Sequence, residues 1–197
     1  ASDVYKRQSQ WFEKEMRCGG DNPDYPYLLK GCFTGDASTI IDGQTLHSIL
    51  RLGFKNKSSS LADKFRDKLR KELQYLNLLT MDEYSMIKSD MLNQIDARLK
   101  EIKNRPNEVF GGISILILGN MLQLKPVKGR YIFDNPVSER WMTGHILRPL
   151  WELFSPVLLV QNHRQGDDLR YAELLRRAAR GNMTEEDIDL HLSLIHI

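Results

Sequence analysis

Apolar residues fall along this chain in two rhythms. Short unbroken runs, YLLKGCF (27–33), LNLLTM (76–81), ISILIL (113–118) and PVLLV (156–160), are bounded by polar or turn-forming residues and predict strands. The β-branched continuity of ISILIL predicts a central strand buried on both sides. Elsewhere the apolar positions recur every three or four residues. Leu61, Phe65, Leu69 and Leu73 predict one helical stripe, and Leu92, Ile95, Leu99 and Ile102 another. DDLRYAELLRRAARG predicts a helix that ends at Gly181. Residues 9–17, GQTLHSILRL and HILRPLWELF read as shorter helical pieces. CGGDNPDYP (18–26) and GFKNKSSS (53–60) read as loops, and TGDAST as a turn. Strands that alternate with helices, and that are apolar throughout, predict an α/β fold: a parallel sheet with helices on both faces. There is no internal repeat.

Composition changes this picture little. The 197 residues are 41% apolar and 27% charged, which is ordinary for a globular chain. A formal charge of +2 confines any nucleic-acid surface to a local patch. The two cysteines, Cys18 and Cys32, have neither metal-type nor disulfide-framework spacing, which suits a reducing compartment. No apolar stretch has membrane-spanning length and no secretory signal is visible, so an intracellular, soluble protein is expected.

The two ends share an encoding. DVYKRQ (3–8) can be written GATGTGTATAAGAGACAG, and the reverse complement of that string encodes LSLIHI (192–197). The string is similar to a transposon end used in sequencing adaptors. Residues 1–8 and 192–197 are therefore expected to be adaptor-derived scars flanking an internal fragment.

Three predicted strands end in polar turns, where ligands gather in parallel sheets. The run LLTMDEYSM (78–86) stops abruptly at Asp82-Glu83. Two adjacent carboxylates at a strand end can manage a Mg²⁺-bound triphosphate, the first holding the metal and the second polarising water. They could equally favour the start of a following helix. GNMLQLKPV (119–127) places Gln123 where it could sense a γ-phosphate, or be a plain loop residue. In FTGDASTIIDGQTLHS (33–48), Thr34, Gly35, Thr45 and His47 offer groups suited to a nucleic-acid backbone. In QNHRQ (161–165), Arg164 could reach a phosphate as an arginine finger, or be one surface arginine among many.

Taken in order, these segments resemble the petite-integration-frequency (Pif-one) DNA helicases, 5′-to-3′ motors of superfamily 1B. FTGDAST and IDGQTLHS are similar to the family's motif Ia and the threonine-leucine-histidine after it, and LLTMDEYSM to motif II. FGGISILILGNMLQLKPVKG is similar to motif III with its Phe-Gly-Gly lead-in, and LLVQNHRQ to motif IV. The resemblance covers about residues 24–190. It implies a P-loop NTPase of RecA-like fold, incomplete at both ends: a partial motor domain 1A over 9–160, with a small wedge insertion near 51–71, and the start of motor domain 2A over 161–191. It implies ATP and Mg²⁺ as cofactors, single-stranded DNA and DNA junctions as partners, and a full-length enzyme that hydrolyses ATP to translocate and unwind. Repair, recombination and telomere maintenance are implied as processes, and nucleus or mitochondrion as location if the source is eukaryotic. By the same resemblance Asp82 would bind Mg²⁺, Glu83 would be the catalytic base, Gln123 would sense the γ-phosphate and Arg164 would be the finger. Thr34, Gly35, Thr45 and His47 would touch DNA.

The sequence departs from the family pattern at Thr80-Met81, at Asn120 where aspartate is usual, and at Asp36 and Ser38. No G-x-x-x-x-G-K-[ST] phosphate cradle occurs in the chain, so the 197 residues alone are expected to be inactive. The basic stretch Lys55–Lys71, seven Lys/Arg against two Asp, falls where the wedge would lie or is a solvated helix face. Three other readings stand beside the helicase fragment: a RecD-like helicase, a decayed non-enzymatic remnant from a mobile element, and an unrelated phosphate-binding ATPase.

Overall fold

Leu28–Cys32 forms β1, and its backbone is paired on both sides. The computed structural model describes residues 2–53, 60–127, 129–134, 149–160 and 168–195. On one side of β1 lies the two-residue strand β2 (Gln44–Thr45), and on the other β3 (Leu78–Asp82), which in turn pairs with β4 (Ser114–Ile117). The order is β2-β1-β3-β4 and every pairing is parallel. The registers bring all four carboxyl ends level, with Cys32 beside both Thr45 and Asp82, and Met81 beside Ile117.

Parallel neighbours require crossover connections, and the helices supply them. Helix α2 (Gly35–Ile40) and helix α3 (Leu46–Leu50) follow β1 and β2. Helix α4 (Asp63–Glu72) precedes β3, and α5 (Ser89–Lys103) carries the chain from β3 towards β4. Side chains alternate along β1, so its two faces can be assigned separately. Gly31 faces α3 so closely that an added Cβ would collide with Leu46 Cδ2. Leu28 and Lys30, on the opposite face, line a groove with Glu13 of α1 (Ser2–Met16) and with Arg17 just after it. Helices thus cover both faces of β1, as the uniformly apolar strands predict. The Glu13 carboxylate also accepts the Tyr27 and Leu28 N–H groups at 2.9 Å, tying α1 to the strand's start.

Helix α5 shows how the stripe becomes core. Leu92, Ile95, Leu99 and Ile102 are all buried, as their spacing predicts. Leu69 and Leu73 are buried as well, whereas Phe65 is 49% exposed, with the Arg51 guanidinium over its ring. Arg70 donates to the Glu101 carbonyl, Arg66 pairs with Asp63 and Lys68 with Glu72. Much of the charge of 60–71 is therefore used within the protein; residues 54–59 lie outside the described residues.

Three expectations need correction. TGDAST is not a turn but the body of α2, capped by the Thr34 hydroxyl, which accepts the Ala37 N–H. ISILIL is not a central strand: β4 is the last strand of the sheet among the described residues, and Leu116 is 46% exposed. PVLLV forms no strand, and Val157 to Val160 are more than four-fifths exposed. Strand structure needs a hydrogen-bonded neighbour, and 156–160 pairs with none among the described residues. Of HILRPLWELF, residues 150–153 form a single 3₁₀ turn and 145–148 lie outside the described residues.

The chain divides into two compact units, 1–153 and 154–197. The second holds α6 (Leu169–Arg180) and α7 (Glu185–Ile195). Helix α6 ends at left-handed Gly181, as expected from sequence, and its N-cap is Asp168. Arg177 grips Asp187 of α7 through two 2.6 Å hydrogen bonds, and this holds the Asp187 carboxyl far below the usual carboxylate range. Of the residues read as scars, 2–8 are helical in backbone as part of α1 and 192–195 as part of α7. No helix among the described residues is long and apolar enough to cross a membrane.

Candidate functional site

The level carboxyl ends of the four strands form one crest, and most of the candidate residues stand on it. Thr45 ends β2 and His47 lies in the first turn of α3; Thr34 and Gly35 follow β1; Asp82 ends β3 and Glu83 follows it. The segment Gly119–Gln123 follows β4. Candidates separated by up to 89 residues of sequence (34 to 123) thus belong to successive strand ends.

The acidic doublet sits on a tight turn. Glu83 is left-handed (φ 56°, ψ 45°), a conformation that costs a non-glycine residue about 1 kcal/mol or more. It is held by its neighbours: the Glu83 N–H donates to Asp82 Oδ1 at 2.8 Å, and the Tyr84 N–H to the Leu118 carbonyl at 3.2 Å. The turn lifts the Glu83 side chain, half-buried, towards β1, where Thr34 Oγ1 donates to its Oε2 at 3.3 Å. The doublet does not cap a helix with its side chains; the N-cap of α5 is Lys88 and that of the 3₁₀ turn 84–86 makes no side-chain bond.

The field of the doublet is felt beneath it. Burial, reinforced by the negative charges of Asp82 and Glu83, pushes the Cys32 thiol up to about 11, so it stays protonated at physiological pH. Among the described residues no three His, Cys, Asp or Glu side chains gather into a ready-made metal cage. The chemistry of the pair Asp82 and Glu83 would suit Mg²⁺, which keeps several waters and takes one or two carboxylates plus substrate phosphates. Asp82 Oδ1 accepts the Glu83 amide, and Oδ2 would be the less committed oxygen of the two.

On the neighbouring strand ends, Thr34 and Thr45 both act as helix N-caps, their hydroxyls accepting the Ala37 and Ser48 N–H groups. Gly35 is exposed, and a Cβ there would meet nothing within 4 Å. The protein itself therefore places no steric demand for glycine at that position. The His47 ring stands edge-on to Phe33 at 6.0 Å. Burial, with help from the Lys88 charge, holds its pKa below the usual histidine range, so at neutral pH it offers a neutral imidazole rather than a cation. Lys88 was not singled out from the sequence. Its half-buried ammonium acts on His47 from 41 residues away in the chain, a proximity that only the fold creates.

After β4 the backbone passes over the doublet's turn. Gly119 (φ 145°) lies against Tyr84 so closely that a Cβ would meet the ring at 2.7 Å. Asn120 Oδ1 accepts the Leu122 N–H at 3.0 Å, and its carbonyl accepts the Gln123 N–H at 3.1 Å. The departure from aspartate thus keeps an acceptor oxygen that anchors the loop. Gln123 is exposed. Arg164 lies outside the described residues. The Phe-Gly-Gly lead-in is a tight left-handed turn: Phe110, Gly111 and Gly112 all have positive φ, and the Phe110 N–H donates to the buried Asp96 Oδ1 at 2.7 Å. At Gly111 a Cβ would meet the Leu99 carbonyl at 2.6 Å, so glycine is required there.

A four-stranded parallel sheet flanked by helices, with acidic and polar loops along one crest, is a RecA-like α/β fold of the kind seen in solved Pif1 structures. The family model described as "PIF1-like helicase" matches residues 28–186, and the chain belongs to that family. It is 27% identical over 165 residues to the ATP-dependent DNA helicase PIF1 of Saccharomyces cerevisiae, covering 78% of this chain and 18% of the yeast protein. With the PIF1 helicase of Emericella nidulans it shares 34% identity over 163 residues, 79% of this chain and 20% of that protein. Among solved structures, Pif1 from Candida albicans superposes with a TM-score of 0.70 at 25% identity, over 94% of this chain and 39% of that one. Bacteroides Pif1 bound to single-stranded DNA superposes at 0.67 and 25% identity, over 96% and 43%. This chain spans about a fifth of the length of these two curated relatives.

Proposed function

We propose that this chain is the motif Ia-to-IV part of an ATP-dependent 5′-to-3′ DNA helicase, and that its crest joins a nucleotide site to a single-stranded-DNA site. Family membership supports the motor, and one observation carries the assignment of sites: Thr34 of the DNA-contacting set donates to Glu83 of the acidic doublet at 3.3 Å. Asp82 would hold Mg²⁺ with the carboxylate that ends β3. Bound Mg²⁺-ATP supplies a polarised phosphoryl group. Glu83, aimed by its left-handed backbone, accepts the proton of the attacking water. Gln123 reports on the γ-phosphate and Arg164 neutralises charge as it develops there. Thr34, Gly35, Thr45 and His47 hold the DNA strand; His47 does so as a neutral hydrogen-bonding group.

The sequence contains no G-x-x-x-x-G-K-[ST] cradle, so these 197 residues alone turn over no ATP. In the product of a longer reading frame that supplies an in-frame cradle, Glu83→Gln lowers DNA-stimulated ATP hydrolysis by roughly 100-fold or more while DNA binding persists. Normal turnover by that variant would overturn the assignment of the base.

A further inference from the structure

Among the described residues, the carboxylate of Glu83 receives one hydrogen bond, from Thr34 across 49 positions of sequence. Thr34 Oγ1 is already committed as an acceptor, capping α2 through the Ala37 N–H at 3.3 Å. A hydroxyl has one proton to give. It can serve Glu83 or an incoming phosphate oxygen, and not both.

Resting on the reading of Thr34 as a DNA contact and Glu83 as the base, we propose that Thr34 is a positioning residue that couples the two sites. Without DNA its hydroxyl proton holds the Glu83 side chain against β1. When a strand phosphate takes that proton, the carboxylate is released to accept a hydrogen bond from water. The strain at Glu83 supports such a device, because a left-handed residue fixed by Asp82 Oδ1 and the Tyr84 amide keeps the backbone still while the side chain changes partner. The two sites are then linked reciprocally: whatever weakens Glu83 as an acceptor, as exchanging its carboxylate for a neutral amide oxygen does, strengthens DNA binding.

The linkage is measurable without nucleotide, by anisotropy of a fluorescein-labelled oligo-dT titrated with the 197-residue chain at fixed low salt. Thr34→Val is expected to weaken binding about five-fold, and Thr34→Ser to stay within about two-fold. Glu83→Gln is expected to tighten binding about three-fold more than Asp82→Asn, which removes the same charge but does not touch Thr34. In the Thr34→Val background that excess disappears. If the unchanged chain does not bind oligo-dT, or Thr34→Val binds as tightly as the unchanged chain, the DNA reading itself fails and takes the proposal with it. If Thr34→Val weakens binding but the Glu83→Gln excess is the same in both backgrounds, the DNA reading stands and the coupling is overturned. Should Thr34→Val fail to fold by circular dichroism, equal effects of Glu83→Gln and Asp82→Asn overturn the coupling alone.

Discussion

Glu83 and Phe110 occupy nearly the same backbone conformation, φ 56° and 52°, and each has its amide held by an aspartate. Asp82 Oδ1 takes the Glu83 N–H at 2.8 Å; Asp96 Oδ1 takes the Phe110 N–H at 2.7 Å. The difference lies in where the side chain goes. Phe110 is buried in the core, and its strain turns the chain out of α5 and into β4. Glu83 is half-buried and faces a hydroxyl on the next strand. One turn spends its strain on folding; the other spends it on presentation. A left-handed residue is therefore informative about function only once its side chain has been followed.

That contrast can be broken experimentally. The largest stability effect is expected from Asp96→Ala, which strands the buried Phe110 amide and removes the partner of Lys100 at 2.7 Å. A cost of about 2–4 kcal/mol is expected. For a chain of this size that lowers Tm by roughly 4–16 °C, read by thermal circular dichroism. Asp82→Ala, at the more exposed turn, should cost about 1 kcal/mol or less. Glu83→Gly should go the other way, raising stability by about 0.5–1 kcal/mol through relief of the left-handed strain, although it removes the proposed base. A Glu83→Gly chain that melts lower than the original would mean the turn is structural after all.

The smallest effects concern pH. Because the folded Cys32 thiol is raised from 9.0 to about 11, its contribution to stability is complete below about pH 9 and is lost as pH climbs towards 11. Glu83→Gln, by removing one of the charges that raise the folded thiol, should make that loss smaller and end it at a lower pH. At pH 8, iodoacetamide should label exposed Cys18 and spare Cys32 until the chain unfolds, a difference that peptide mass spectrometry resolves. His47 carries the opposite sign, since its folded pKa is lowered. Its contribution is present above about pH 6.5 and fades as the solution is acidified through the folded value.

Helix α5, β1 and β3 were legible in the sequence because each is set by local rhythm: a stripe at Leu92, Ile95, Leu99 and Ile102, or an apolar run closed by polar residues. What failed was whatever depends on neighbours. ISILIL and PVLLV look alike as strings, yet β4 is the last strand of the sheet and 156–160 an exposed non-strand segment among the described residues, because composition does not name the strand that will pair. Helix α2 was missed because six residues hold too little periodicity, and its signal was the Thr34 cap. The site divides the same way. The doublet, the glycines and the polar strand ends could be found one by one. The Thr34–Glu83 bond and the influence of Lys88 on His47 could not, since both cross more than forty residues of chain.

Directly after the doublet, the ring of Tyr84 stacks on Trp151 with centroids 5.7 Å apart. The indole emission of Trp151 is therefore coupled to the residue that follows the proposed base, and the chain carries its own optical reporter. With Trp11 and Trp141 changed to phenylalanine, any ligand that rearranges the turn at 82–84 would be seen as a change in fluorescence lifetime, with no label attached.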